Sequence, residues 1–75
     1  MQNENKIILA QLKEIRRKQI NHIQLSGNDY KLIRDVQNQI QGISKQRFLK
    51  NISESTGENE SDIDTLIEQI IKHHN

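Results

Sequence analysis

A run of long polar side chains in the first third of the chain is the best candidate for a functional surface. Two further cations extend it, and the complete candidate set is Lys13, Arg16, Arg17, Lys18, Gln19, Lys31 and Arg34. Ammonium and guanidinium groups bind the carboxylates of proteins and the phosphates of nucleic acids. Three interpretations stay open: a solvated helix face, a protein interface, or phosphate contact by the cations at positions 13, 17, 31 and 34.

Arg16 and Gln19 occupy an unusual place within this set, because both fall inside the apolar arc of the first predicted helix. A long polar pair at such positions is typical of a solvated bundle end, where the stems lie along apolar surface. It is also typical of a polar layer that sets the register of an interface between chains. Glu14, three residues before Arg17, is expected to form an ordinary surface ion pair with it.

The residue types needed for catalysis or metal binding are sparse. The chain has no cysteine, and it contains neither a nucleophile elbow nor a Gly-rich phosphate loop. The only imidazoles are His22, His73 and His74, and no ligand follows the last two at helical spacing. A helical unit of this size leaves little room for a cavity of several hundred cubic ångströms. The sequence therefore predicts a protein that is not an enzyme, with no cofactor, no metal and no small-molecule substrate.

Residues 45–72 have the layout of a helix-turn-helix, with two short amphipathic helices joined by a turn that contains Gly57. In a DNA-binding version, the second helix places its N-terminal residues beside phosphates. Here that end carries four acids, at Glu58, Glu60, Asp62 and Asp64. Carboxylates have the wrong sign for a polyanion, so a structural helical hairpin is the favoured interpretation.

The same stretch resembles the N-terminal helical hairpin of the histone-like HU proteins. The features that carry the resemblance are an amphipathic helix, the pair Thr56-Gly57, an acidic N-cap region and a second amphipathic helix. The resemblance implies a hairpin that can dimerise, and no DNA-binding residue is carried over from it.

Apolar periodicity predicts an all-α fold, a small four-helix bundle in which one long N-terminal helix is packed by three shorter helices. The predicted helices cover residues 6–25, 29–41, 45–55 and 62–73. The first carries a stripe within an arc of roughly 140°, made of Ile8, Leu9, Leu12, Ile15, Ile20 and Ile23. No alternating β-branched run predicts a strand.

Glycines and polar residues predict the ends of these helices. Left-handed glycines are expected to end the first three helices, at Gly27, Gly42 and Gly57. The next helices are expected to begin with side-chain caps from Asn28 or Asp29 and from Ser44, and with a capping box formed by Ser61 and Asp64.

The 75 residues are expected to form one helical domain, 1–75, with residues 1–5 and 74–75 disordered. The start of the chain is polar and its longest apolar run covers only residues 7–10, which predicts no membrane segment and a cytoplasmic location. The bias towards Ile, Asn and Lys is typical of AT-rich coding sequence, and points to a bacterium or its phage. Residues 1–50 carry a balance of +6 and residues 51–75 one of −5.

The predicted first helix spans about 30 Å and the others about 16–20 Å each. Either two helices dock end to end along its stripe or part of the stripe stays open for another chain, and we therefore expect a homodimer through this helix. The function that follows is protein–protein binding by a small regulatory or adaptor protein of inhibitor, immunity or antirepressor type. The alternatives are a DNA-binding transcriptional regulator that uses the basic helices 6–25 and 29–41, and a structural or assembly subunit.

Overall fold

Four helices and their connections make up the computed structural model, which describes residues 3–42 and 44–74. They are α1 (Asn3–Ile20), α2 (Gly27–Gly42), α3 (Lys45–Thr56) and α4 (Glu60–His74). The predicted all-α four-helix bundle is confirmed, and the described residues contain no strand. Of the residues expected to be disordered, 3–5 and His74 belong to helices, and residues 1, 2 and 75 lie outside the described part.

The core lies between α1, α3 and α4, and α2 packs against α3. All buried side chains of the described residues are apolar, and they are Leu9, Leu12, Ile15, Ile33, Val36, Phe48, Leu49, Ile52, Ile63, Ile67 and Ile70. Three helices supply three buried residues each, and α2 supplies two. The apolar periodicity of the sequence is thus the periodicity of the core.

Hydrogen bonds between helices fix their relative direction. Asn5 Nδ2 donates to Ser55 Oγ at 2.9 Å, which joins the start of α1 to the end of α3. Gln19 Nε2 donates to the Ile70 carbonyl oxygen at 3.1 Å, which joins the end of α1 to the last turns of α4. The helix α1 therefore runs against α3 and along α4, so that α1 and α4 finish at the same end of the 31 Å molecule.

The first helix ends at Ile20, five residues before its predicted end. His22 adopts a left-handed conformation with φ 58°. The amide of Ile23 then donates to the Lys18 carbonyl at 2.8 Å and that of His22 to the Gln19 carbonyl at 3.3 Å. These two bonds form a Schellman motif, with a histidine where glycine is usual. The prediction that Gly27 ends this helix is wrong, because His22 supplies the left-handed residue and Gly27 is the first residue of α2.

A capping box opens α2. The amide of Asp29 donates to Ser26 Oγ at 3.2 Å, and the Asp29 carboxylate accepts from the Ser26 amide at 2.9 Å. Asp29 thus occupies the third helical position of the box, and the N-cap predicted at Asn28 or Asp29 lies at Ser26. The serine-x-x-acid pattern of a capping box is therefore present at residues 26–29, as it is at residues 61–64.

The helix α4 begins at Glu60, and its cap is Asn59, whose Oδ1 accepts from the Ser61 amide at 2.9 Å. The capping box predicted for Ser61 and Asp64 is wrong, because Asp64 is used elsewhere. Its Oδ1 lies 2.8 Å from Lys45 Nζ, which ties α4 to the first turn of α3.

The cap predicted at Ser44 is confirmed, since Ser44 Oγ accepts from the Arg47 amide at 3.2 Å. Gly57 ends α3 with φ 78°, and its amide donates to the Ser53 carbonyl at 2.8 Å, which confirms that prediction as well. Gly42 does not adopt positive φ and is simply the last residue of α2. The left-handed conformation predicted for it is wrong.

The helices differ less in length than the sequence predicts, since α1 has 18 residues, α2 has 16, α3 has 12 and α4 has 15. The middle of the α1 stripe is covered by α3 and α4, and Leu12 and Ile15 are buried there. Its far end is open: Ile20 is 60% exposed and Ile23 is 44% exposed. The stripe therefore lacks a cover only where α1 finishes.

Candidate functional site

Three cations of the candidate set on α1 are paired with carboxylates of the same chain, and two of these pairs lie near the surface. Arg17 and Glu14 form the expected surface pair through two hydrogen bonds, of 3.0 Å from Nε and 2.5 Å from Nη2. The bond from Arg17 holds the pKa of Glu14 below its usual range. Lys13 Nζ lies 3.5 Å from Glu58 Oε1, across the gap to the turn before α4. Both pairs lie near the surface, yet they reduce the positive charge that α1 presents.

Lys18 joins two elements. Its Nζ donates to Asp29 Oδ2 at 2.8 Å, and the two side chains are only 22% and 16% exposed. The same carboxylate accepts the Ser26 amide in the capping box. The hydrogen bond from Lys18 is the main cause that holds the pKa of Asp29 below its usual range. Lys18 therefore fixes the start of α2 against the end of α1.

Arg16 and Gln19 form a polar layer inside the chain. Gln19 donates to the Ile70 carbonyl, and its Oε1 accepts from Arg16 Nη1 at 3.5 Å. Arg16 Nε is enclosed and has no acceptor among the residues that the structure describes. The pair thus links α1 to α4 within a single molecule.

Lys31 and Arg34 differ from the cations of α1. Both are exposed on α2, and neither forms an ion pair within residues 3–42 and 44–74. The same holds for Arg47 and Lys50 on α3, which line one shallow groove with Gln46 and Asn51. Among the described residues, α2 and α3 thus carry four of the seven cations without an ion pair, and the other three are Lys6, Arg16 and Lys72. The sequence does not single out Arg47 and Lys50, because the basic residues on α1 are more closely spaced.

A second groove lies where α1 and α4 finish and α2 begins. We call it the end face, and it is lined by Gln19, His22, Ile23, Gln24, Leu25, Tyr30, His73 and His74. Ile23 and Tyr30 are 44% and 46% exposed, whereas Leu25 packs against the core. The apolar surface of the end face is therefore continuous with the interior of the bundle.

Local structure explains how these side chains come together. The Schellman motif turns the chain after Ile20, so that Ile23 leaves the helix axis and joins the end face. The capping box of α2 sets Tyr30 in the first turn of that helix. The Tyr30 and His74 rings are 5.4 Å apart at 49°, a tilted arrangement common among aromatic pairs.

The end face carries no lysine, arginine or carboxylate in its lining. This is unusual in a chain where 21 of 75 residues are of those types. All three histidines of the chain line it. Sequence reasoning treated these histidines as separate surface residues, because nothing in the spacing showed that the ends of α1 and α4 meet.

Among the described residues, no group of three or more His, Cys, Asp or Glu side chains is arranged to hold a metal ion. None of the helices described here is long and apolar enough to cross a bilayer.

Comparison with known proteins gives no relative: no family model, no curated protein and no solved structure matches this chain. The likeness of residues 45–72 to the HU hairpin therefore remains a likeness of pattern. Functional inference for this protein rests on its own residues, above all on the end face.

Proposed function

We propose that this protein is a small non-enzymatic regulatory or adaptor protein that acts by protein–protein binding through the end face. The observation that carries the proposal is the open end of the α1 stripe, where Ile23 and Tyr30 are about half exposed in an uncharged groove. Inhibitor, immunity and antirepressor roles are all compatible with such a binding face. The bias towards Ile, Asn and Lys, typical of AT-rich coding sequence, supports a source in a bacterium or its phage.

The chemistry of the end face supports binding to a protein. The cores of protein interfaces are depleted in charged residues and enriched in aromatic ones. The lining of the end face contains no Lys, Arg, Asp or Glu, and it includes Tyr30, whose ring lies beside that of His74. The energy of binding is concentrated in a few central side chains, often tyrosine. Tyr30 lines the same groove as Leu25, which packs against the core.

Affinity capture with immobilised protein tests this function. We expect the wild type to retain a defined protein. Tyr30→Ala should lower the affinity for that protein roughly 30-fold, because truncating a central aromatic side chain typically costs 2 kcal/mol or more. The matched control is Ile7→Ala, since Ile7 is 56% exposed on α1 but lies far from the end face. Equal retention by wild type, Tyr30→Ala and Ile7→Ala would contradict the proposal.

A DNA-binding regulator is the second candidate, and one observation favours it. The cations without an ion pair in the described part of the chain include Lys31 and Arg34 on α2 and Arg47 and Lys50 on α3. These side chains are free to contact phosphates. The contribution expected from α1 is weaker, because Lys13 and Arg17 already face carboxylates.

Titration of labelled duplex DNA separates this candidate from the first. Four phosphate contacts predict that affinity falls roughly 100-fold between about 50 and 200 mM salt. The double variant Lys31→Gln, Arg34→Gln should bind DNA more weakly than the wild type at the same salt concentration. The double variant Lys13→Gln, Arg17→Gln should bind DNA about as tightly as the wild type. Absence of binding at the lower salt concentration would exclude the DNA-binding candidate.

A further inference from the structure

We infer that the end face is a two-fold interface between two copies of this chain, and that protonation of its histidines opens the interface. The inference rests on the proposed function of the end face and names its partner. It brings together three observations: a lining without fixed charge, apolar surface continuous with the core, and the presence of every histidine of the chain.

The lack of charge favours a second copy as the partner. In a two-fold interface the same patch meets itself, so each charged group of the patch would be buried near its own symmetry mate. Burying such groups without partners is costly. The end face avoids this cost because its lining contains no Lys, Arg, Asp or Glu. The other groove, beside α3, carries Arg47, Lys50 and Glu54 and is not self-complementary in this way.

The apolar part of the end face supplies the attraction. Ile23 and Tyr30 are exposed in the single chain, and Ile20 is exposed just before them. A domain of this size buries only about 60% of its unfolded surface by itself, less than larger domains do, so covering these side chains against a second copy stabilises both chains. The open end of the stripe thus receives the cover that α3 and α4 give to its middle.

Protonation changes the charge of the end face. Imidazole is the side chain that normally gains charge between about pH 8 and pH 5. Three histidines on each copy would place up to six positive charges within one symmetric interface. Like charges at close range repel each other, and burial of each also costs hydration energy.

Among the described residues, no carboxylate lines the end face to offset this charge. The Tyr30 and His74 rings are neighbours, and Arg16, whose Nη1 donates to Gln19 of the lining, adds positive charge. Asp29, which precedes Tyr30, is already bound to Lys18 and to the Ser26 amide. Lys72, which precedes the two histidines on α4, adds positive charge.

Mass in solution by light scattering tests the inference, at low and high salt. At about pH 8 we expect twice the 8.8 kDa of one chain, and at about pH 5 the mass of one chain. We expect the dissociation constant, measured by sedimentation equilibrium, to rise at least roughly 100-fold between these values of pH. High salt should leave the dimer at pH 8 intact, because the contact there is apolar.

Variants separate the parts of the inference. Ile23→Asp should give a monomer at both pH values, whereas Ile7→Asp should remain a dimer at pH 8. The triple variant His22→Asn, His73→Gln and His74→Gln should remain a dimer at pH 5. Asparagine is chosen at position 22 because it tolerates the left-handed conformation. Circular dichroism checks that each variant is folded, and Tyr30→Ser replaces Ile23→Asp if the latter unfolds.

Several results would overturn the inference: a monomer at pH 8, a dimer insensitive to Ile23→Asp and Tyr30→Ser, or a dimer that resists acid in the wild type. Oligomers larger than a dimer would also overturn it and favour the assembly-subunit alternative. These failures are distinct from failure of the proposed function. A monomer that still captures a different protein through Tyr30 would refute only the second-copy inference.

Discussion

Leu12→Asp is expected to unfold the domain. Leu12 is 1% exposed and lies in the middle of α1, where that helix packs on α3 and α4. No cation of the described residues is buried beside it to pair with a carboxylate. A chain of this size has a free energy of unfolding of about 4–11 kcal/mol. Removing a core leucine typically costs about 2–5 kcal/mol, and burying an unpaired charge adds to that cost.

Circular dichroism during urea and thermal unfolding measures this effect. Leu12→Ala is the graded variant and should lower the free energy of unfolding by about 2–5 kcal/mol without abolishing folding. Gln11→Asp is the matched control, because Gln11 is adjacent and exposed. If Leu12→Asp retained the helicity and melting temperature of the wild type, α1 would not be the central packing element.

Asp29→Ala is expected to destabilise the fold although Asp29 lies outside the apolar core. The carboxylate accepts hydrogen bonds from Lys18 Nζ at 2.8 Å and from the Ser26 amide at 2.9 Å. Loss of a cap costs about 0.5–2 kcal/mol, and a half-buried ammonium left without its partner adds to it. We expect a total of about 2–3 kcal/mol. Asp35→Ala on the same helix is the control, and should stay within about 0.5 kcal/mol of the wild type.

The dependence of this effect on pH is a second test of the Lys18–Asp29 contact. The folded-state pKa of Asp29 is held below the ordinary value of 3.8. The ionised carboxylate therefore stabilises the fold above that value, and the stabilisation is lost as pH falls through the folded-state pKa. The stability difference between wild type and Asp29→Asn should be constant from about pH 7 to 5 and shrink below about pH 4. A difference that grows on acidification would contradict the contact.

The number and type of helices could be predicted from the sequence because they depend on local signals. Apolar residues at helical spacing mark each buried face, and most of them lie in the core. Ser44 and Gly57 also act locally, through a side-chain cap and a positive φ. Such features need only a few neighbouring residues to be recognised.

The end of α1 could not be predicted in the same way. Its apolar pattern continues through Ile20 and Ile23, and no glycine marks the turn at His22. The choice of ion-pair partners was equally hidden, since Lys13 meets Glu58 only after α1 and α3 have packed. The regional charge balance was visible in the sequence, but which cations remain unpaired depends on tertiary structure.

The end face is the clearest example of a feature that could not be predicted from the sequence. It combines the end of α1, the start of α2 and the end of α4, which are separated along the chain by up to about fifty residues. Each contributing segment, taken alone, is an ordinary helix terminus. Their common chemistry becomes visible only when Tyr30 and His74 are placed side by side.

Because α1 and α4 finish at the same end of the molecule, the start of α1 and the end of α4 differ as sites for attaching a label. The start of α1 lies beside Ser55, near the turn between α3 and α4, whereas His73 and His74 line the end face. A dye, a surface linkage or a fused domain joined before α1 would therefore leave the end face accessible. The same addition after α4 would obstruct the end face, and a polyhistidine sequence there would bring further imidazoles close to it. Experiments on partner binding should accordingly carry their labels on the α1 side.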